Sequence, residues 1–208
     1  MTKYIIGADE VGRGPLAGAC YVGAVMAPST MMPIEGVTDS KKLSPTRRQT
    51  LHKAITEHEG LHHRISIRTA ARVDEVGINP ALLECFWEAI EGLLALGLPV
   101  EAVRIDGKPI GVDFRPIPTE FIIKGDAKDW IIGAASIVAK VERDAYMVKM
   151  AKQYPEYEWK GNKGYGSSGH IEAIKEHGLS PLHRATFCRN FVPEPKDDIS
   201  DILDMFGD

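Results

Sequence analysis

The stretch Tyr4-Ile5-Ile6-Gly7-Ala8-Asp9-Glu10-Val11-Gly12-Arg13-Gly14-Pro15 decides how this chain is read. Tyr4 to Ala8 is almost wholly apolar, the pattern of a central strand covered on both faces. Two adjacent acids follow, and then a glycine-rich turn. Burying a charge is unfavourable unless it is paired or binds a metal. Neighbouring carboxylates also repel, and one of them tends to take up a proton. A divalent cation removes both problems. The stretch therefore reads as a metal site at the edge of a sheet, beside a flexible glycine loop.

Further along, Ala19–Ala27 reads as a second strand, stopped by Pro28, near enough to pair with the first. Ser44-Pro45 opens a helix to about Glu57, with serine as cap and proline in the first turn. His63–Arg68 alternates Ile65 and Ile67 with polar residues, a half-buried strand. Asn79-Pro80 starts a helix that ends before Gly97. Val103–Ile105 and Glu120–Lys124 read as strands. A long helix begins near Ala127, with Ile131, Ala135, Val138, Ala145 and Val148 on one face. After about Gln153 come a glycine-rich segment, Lys160–Gly169, and a helix from Ile171 to His177. Strands alternating with helices imply an α/β layer. Residues 1–192 form the expected catalytic domain, with about 153–192 a helical extension packed on it and 193–208 an acidic, mobile tail.

The bulk numbers narrow the classes. With 208 residues, 44% hydrophobic and 26% charged, the chain has the makeup of an ordinary globular domain. No apolar run is long enough to span a bilayer. Met1-Thr2-Lys3 passes straight into the first strand without a signal-peptide pattern, so a cytoplasmic location is expected. Cys20, Cys85 and Cys188 are too few and too scattered for a disulfide framework or a cysteine zinc site, and read as core residues. The net charge is −4, but residues 194–208 hold six acids and one lysine, which leaves the rest near +1. Lys41, Lys42, Arg47, Arg48 and Lys53 concentrate positive charge in one short segment.

Three places put an acid at the exit of an apolar run: Asp9-Glu10, Asp106-Gly107 and Lys124-Gly125-Asp126. Strand ends are where open α/β sheets bind ligands. Hard oxygen donors favour Mg²⁺ or Mn²⁺ over zinc, and two such ions about 4 Å apart suit phosphodiester hydrolysis. Plainer readings stand beside this one. Asp106-Gly107 is also a turn dipeptide. Asp126 precedes a helix and reads equally as its N-cap, with Asp129 favourable in the first turn. Gly12-Arg13-Gly14 alone is a tight turn with an exposed arginine, and Lys41-Lys42 alone is a solvated face.

The stretch from Asp9 through Gly12-Arg13-Gly14 to Gly18 resembles the signature of the type 2 ribonucleases H (ribonuclease HII). Further matches follow in order: Asp39-Ser40-Lys41-Lys42-Leu43, Ile105-Asp106-Gly107, Lys124-Gly125-Asp126, the segment Ala134 to Asp144, and Lys163-Gly164-Tyr165. The resemblance runs from about residue 4 to about 190. It implies a ribonuclease H-like fold, a five-stranded mixed sheet flanked by helices with a C-terminal helical extension. It implies an endonuclease that cuts the RNA strand of RNA–DNA hybrids and nicks duplex DNA 5′ of embedded ribonucleotides, leaving 3′-hydroxyl and 5′-phosphate ends. Asp9, Glu10, Asp106 and Asp126 would then be the catalytic carboxylates that bind two Mg²⁺ or Mn²⁺ ions, with Asp129 the competing choice for the fourth. Gly12, Arg13 and Gly14 would hold the 2′-hydroxyl and a phosphate, and Tyr165 would pack against the next sugar. Ser40, Lys41 and Lys42 would hold phosphates. The expected roles are RNA primer removal and ribonucleotide excision repair.

In the tail, Ile202-Leu203-Asp204-Met205-Phe206 resembles the short bacterial sliding-clamp-binding motif, with Ile202 in place of the usual glutamine. A monomer is the default state. Two other classes compete: a non-catalytic hybrid-binding module, which would need a broken carboxylate set, and a small-molecule phosphatase, which the basic segment and glycine loop disfavour.

Overall fold

A computed structural model describes residues 2–192. The elements follow in chain order: β1 (Tyr4–Val11), β2 (Cys20–Pro28), α1 (Pro45–Thr56), β3 (His62–Arg68), α2 (Ala70–Val76), α3 (Ile78–Leu94), β4 (Val100–Asp106), β5 (Thr119–Ile122), α4 (Gly125–Lys128), α5 (Trp130–Met150), α6 (Trp159–Asn162), α7 (Ser168–His177) and α8 (Ala185–Cys188). The five strands form one mixed sheet in the order β3-β2-β1-β4-β5. The first three are antiparallel neighbours, and β1, β4 and β5 run parallel.

Both faces of the sheet are covered. Ile6, Ala8, Val103 and Ile105 pack with Phe86, Ile90 and Leu93 of α3 on one side. Ile5, Val25 and Ala102 pack with Ile131, Ala135 and Val138 of α5 and Leu51 and Ile55 of α1 on the other. A third apolar cluster, around Trp159, Tyr157 and Ile174, holds the C-terminal extension together and reaches Leu16 and Ala17. Cys20 and Cys85 sit in the first cluster and Cys188 in the third, all as free thiols.

Several boundaries differ from the sequence reading. Strand β1 does not stop at Ala8: it runs to Val11, because β2 continues to pair with it, Asp9 opposite Gly23 and Glu10 opposite Val22. The fifth strand ends at Ile122, since Lys124 takes a left-handed conformation (φ 57°) that starts α4. The long helix is two pieces joined at Asp129, which is the true N-cap of α5. Helix α2 has no counterpart in the sequence reading. In β3 the apolar face is only partly covered: Ile67 is 44% exposed. The polar face is the buried one, where Ser66 bonds to Glu88 at 2.6 Å and Arg68 pairs with Glu84 and Glu88.

The extension encloses two histidines. Trp159 Nε1 donates to His170 Nε2 at 3.0 Å, and His183 Nε2 lies 3.0 Å from the same atom. His183 Nδ1 accepts from the Ser180 amide, so its proton is on Nε2 and it donates to His170. His170 Nδ1 in turn donates to the Tyr165 carbonyl at 2.9 Å. Both rings are therefore neutral. Burial pushes the His183 imidazole down to about 4, and pushes His170 down as well. A base held below its ordinary value of about 6.5 stabilises the fold above that pH and less as pH falls towards 4. The melting temperature of wild type relative to His183→Gln should therefore fall as pH is lowered from 7 to 5, the difference removing groups common to both. A constant difference over that interval would mean that the pair is not neutral in the fold.

Candidate active site

Asp9, Asp106 and Asp126 come together at one end of the sheet. Strands β1 and β4 are parallel neighbours with Ala8 opposite Ile105, so Asp9 and Asp106 leave adjacent strands side by side. Asp126 sits in the first turn of α4, whose Gly125 amide donates to Asp106 Oδ1 at 2.6 Å. Asp9 is 7% exposed and Asp126 8%. Burial pushes the Asp9 carboxyl up to about 8; Asp106, Glu10 and Asp126 add to this, and a hydrogen bond from Ser136 opposes it. Burial also raises Asp126, with Asp39 and Asp106 the next causes. Among the described residues no lysine, arginine or histidine forms an ion pair with Asp9, Asp106 or Asp126. No three acids, histidines or cysteines there form a ready-made metal cage either.

Glu10 is placed differently. Adjacent residues of a strand face opposite ways, and Glu10 leaves on the α3 side, where its Oε1 accepts from Arg13 Nε at 2.9 Å. Arg13 also donates to Asn79 Oδ1 at 2.6 Å. Asp129 is committed elsewhere: it caps the Ile131 amide at 3.0 Å and pairs with Arg104 at 3.0 Å. Of the two acids near the start of the long helix, Asp126 faces the cluster and Asp129 holds the fold.

The glycine loop is tied down by two buried arginines. Arg184 donates to the carbonyls of Gly12 (2.6 Å), Arg13 (3.0 Å) and Gly18 (2.8 Å). Arg143 donates to those of Ala19 (3.1 Å), Ala17 (3.2 Å) and Lys163 (3.1 Å). Gly12 has φ 86°, and a Cβ there would fall on the Arg143 side chain. With the Gly12 and Arg13 carbonyls turned inward, no protein acceptor is found for the Arg13 or Gly14 amide among the described residues. Tyr165, 41% exposed, stands over the same frame, its ring centroid 5.7 Å from the Arg143 guanidinium and 5.9 Å from the Lys140 ammonium. Leu16 and Ala17 both donate to the Gly164 carbonyl, which fastens this loop to the glycine loop.

The basic segment is divided. Lys41 and Lys42 are exposed, but Ser40 is buried, with its hydroxyl 2.9 Å from that of Ser136. Ser40 is thus turned into the protein and not to the surface. Asp39, which the sequence reading treats only as the first residue of a motif, caps the Lys41 amide and lies near Asp126. Arg184 has no signal in the sequence: an arginine between two short segments gives no hint that its partners lie some 170 positions earlier.

The sequence matches the ribonuclease HII family over residues 6–190. The chain belongs to that family. It is 42% identical to a ribonuclease HII of Ruminiclostridium cellulolyticum over 192 residues, covering 91% of this chain and 72% of that protein. It is 39% identical to that of Caldicellulosiruptor saccharolyticus, covering 91% and 89%. Among solved structures it resembles the ribonuclease H2 of Pyrococcus horikoshii (TM-score 0.70, 28% identity, 90% and 96% covered). It also resembles the ribonuclease HII of Archaeoglobus fulgidus, which was solved in complex with PCNA (TM-score 0.71, 25% identity, 93% and 99% covered). The fold is therefore ribonuclease H-like, and the chain is an endonuclease of the divalent-metal-dependent ribonuclease H class.

The two acids of the α4–α5 junction should separate in a stability measurement without metal. Asp129→Ala removes a cap and an ion pair, and should cost about 0.5–2 kcal/mol. Asp126→Asn removes a buried charge crowded by like charges, and should leave the melting temperature unchanged or raised. Equal losses in the two variants would contradict this division of roles.

Proposed function

We propose that the chain cleaves the RNA strand of RNA–DNA hybrids and nicks duplex DNA on the 5′ side of an embedded ribonucleotide, leaving 3′-hydroxyl and 5′-phosphate ends. The observation that carries the reading is the crowding of Asp9, Asp106 and Asp126 without a cation from the protein. Their oxygens are hard donors, which suits Mg²⁺ or Mn²⁺. Two such ions, when bound, supply an activated water and neutralise charge on the scissile phosphate.

The protein's own groups do the rest. Asp9, Asp106 and Asp126 hold the ions, and Glu10 joins them from the end of β1 when its bond to Arg13 is exchanged for substrate. Arg13 is thereby released to a phosphate. The outward amides of Arg13 and Gly14 hold the 2′-hydroxyl, the group that distinguishes RNA from DNA. Tyr165 packs its ring on the sugar that follows. Lys41 and Lys42 hold phosphates and carry no sequence preference, while Ser40 fixes the turn beneath them. Residues 1–192 act as the catalytic domain, the helical extension being part of the site through Tyr165, Arg143 and Arg184. The protein works as a monomer in the cytoplasm, in RNA primer removal and ribonucleotide excision repair.

The assay is a DNA duplex bearing one ribonucleotide, incubated with Mg²⁺ or Mn²⁺, with the cut mapped to the nucleotide. Wild type should cut on the 5′ side of the ribonucleotide and stop when EDTA is added. Asp9→Asn should lose about 10²-fold or more with an unchanged melting temperature. Full activity in that variant, or cutting in EDTA, would refute the metal role of the cluster.

The proposed clamp contact, Ile202–Phe206, lies outside the described residues. The archaeal relative solved with PCNA supports a clamp partner for this chain. Removing residues 199–208 should abolish co-purification with a bacterial sliding clamp and leave nicking of a short duplex intact. Unchanged capture by the clamp would dismiss the motif.

A further inference from the structure

A groove of about 780 Å³ runs between α1 and α5 and the loop that carries Tyr165. Its polar walls are Lys41 and Arg48 from one side, Lys140 from α5, and Lys163 from the loop. The acid in the lining is Asp144, whose Oδ1 is already taken by Lys140 at 2.8 Å. Lys163 is held below the usual lysine range by burial, and then by the like charges of Lys140, Arg48 and Lys160, with Asp144 opposing. Lys163 is also one of three non-glycine residues with a left-handed backbone (φ 53°) among the described residues. Four cations from three separate elements thus face one channel with a single acid between them. Such crowding is unfavourable without an anion, as the crowded carboxylates are without a cation.

The anion that fits is a run of phosphates. The cations come from separated segments and line an open channel, so they suit a line of charges better than one pinned group. The channel also continues the site already described: Lys41 belongs to the basic segment, and Lys140 stands 5.9 Å from the Tyr165 ring. None of its charged groups is placed to read a base or a sugar, since ammonium and guanidinium contacts to phosphate carry neither kind of information.

We propose that this groove is a second nucleic-acid site, which holds the phosphodiester backbone of duplex DNA whether or not a ribonucleotide is present. It rests on the nuclease reading only in that the duplex it holds is the one presented for cutting. It keeps the protein on DNA through charge alone, while the glycine loop and Tyr165 test each sugar. The acidic segment 194–208 accounts for the chain's negative net charge and does not line the groove.

The test is binding of an all-DNA duplex, labelled with fluorescein and followed by anisotropy from 50 to 200 mM salt without divalent ions. Wild type should bind, with log affinity falling linearly with log salt. The double variant Lys140→Gln, Lys163→Gln should lose about two phosphate contacts, so its slope should be shallower by about 1.8, at about 0.9 per contact. Its affinity at 50 mM should fall about tenfold or more. Asp9→Asn should bind as wild type does. If losing the Lys140–Asp144 pair lowers the melting temperature, Lys163→Gln alone serves, with a slope change of about 0.9. Wild type that fails to bind the all-DNA duplex at 50 mM salt, or folded variants with wild-type affinity and slope, would overturn the groove. Wild type that binds this duplex but never nicks one bearing a ribonucleotide would overturn the nuclease reading and leave the groove standing.

Discussion

Helix α5 rests directly on the backbone of β1 and β2, and the site depends on that close approach. Gly7 and Gly23 lie under it: a Cβ on Gly23 would be 2.6 Å from the Ala135 carbonyl oxygen, and one on Gly7 would overlap the Ile131 backbone. Asp9 is paired with Gly23 in the ladder, so it emerges where the helix is nearest. The same approach brings Ser136 to Asp9 and Arg143 to the carbonyls of Ala17 and Ala19. Farther along, Met147 lies against Gly18 and Gly164. One helix, laid on a track of residues without side chains, therefore sets the positions of an acid, a turn and a loop. Overpacking at such a contact typically costs about 1–3 kcal/mol, and here the displacement would be passed to each of these groups.

The protein deals with its buried charges in two ways. Arg143 and Arg184 are fully buried, and each guanidinium is satisfied by main-chain carbonyls. That arrangement avoids an unpaired buried charge and orients the loops that provide the carbonyls. Asp9 and Asp126 are nearly as buried, but they face other acids. The first solution is complete within the chain. The second is complete only with an ion from outside, and this difference separates a structural charge from a chemical one.

What the sequence made legible follows from how local each signal is. Asp9-Glu10 stands out because an apolar strand leads into it, and Asp106 and Asp126 because each follows another such run. The serine–proline start of α1 is a local signal too, and Ser44 caps the Arg47 amide as expected. The end of β1 was not legible, because pairing with β2, and not the acids, decides where that strand stops. Nor was the fate of Ser40, whose partner is 96 positions away. The choice between Asp126 and Asp129 also needed the fold: Arg104, on β4, is what engages Asp129. In β3 the alternation was real, but the edge of the sheet leaves Ile67 partly exposed, while an ion-pair network covers the polar face.

The helical extension is best understood through the bonds it makes to the first twenty residues. Arg184 reaches back to Gly12, Arg13 and Gly18, its amide donates to the Leu16 carbonyl, and Gly18 donates to Leu182. The loop that follows the acidic strand is thus shaped by the other end of the described chain. Tyr165 is fixed from the same side, through the His170–His183 pair beneath it and Gly164 beside it. The acids are positioned by the sheet and α5, and the groups facing the sugar by the extension. A change in the extension can therefore alter which nucleotide is accepted while leaving the carboxylates in place, and a change in the sheet does the reverse. The two functions share Arg143, which bonds to both loops from the helix that also places Ser136 beside Asp9.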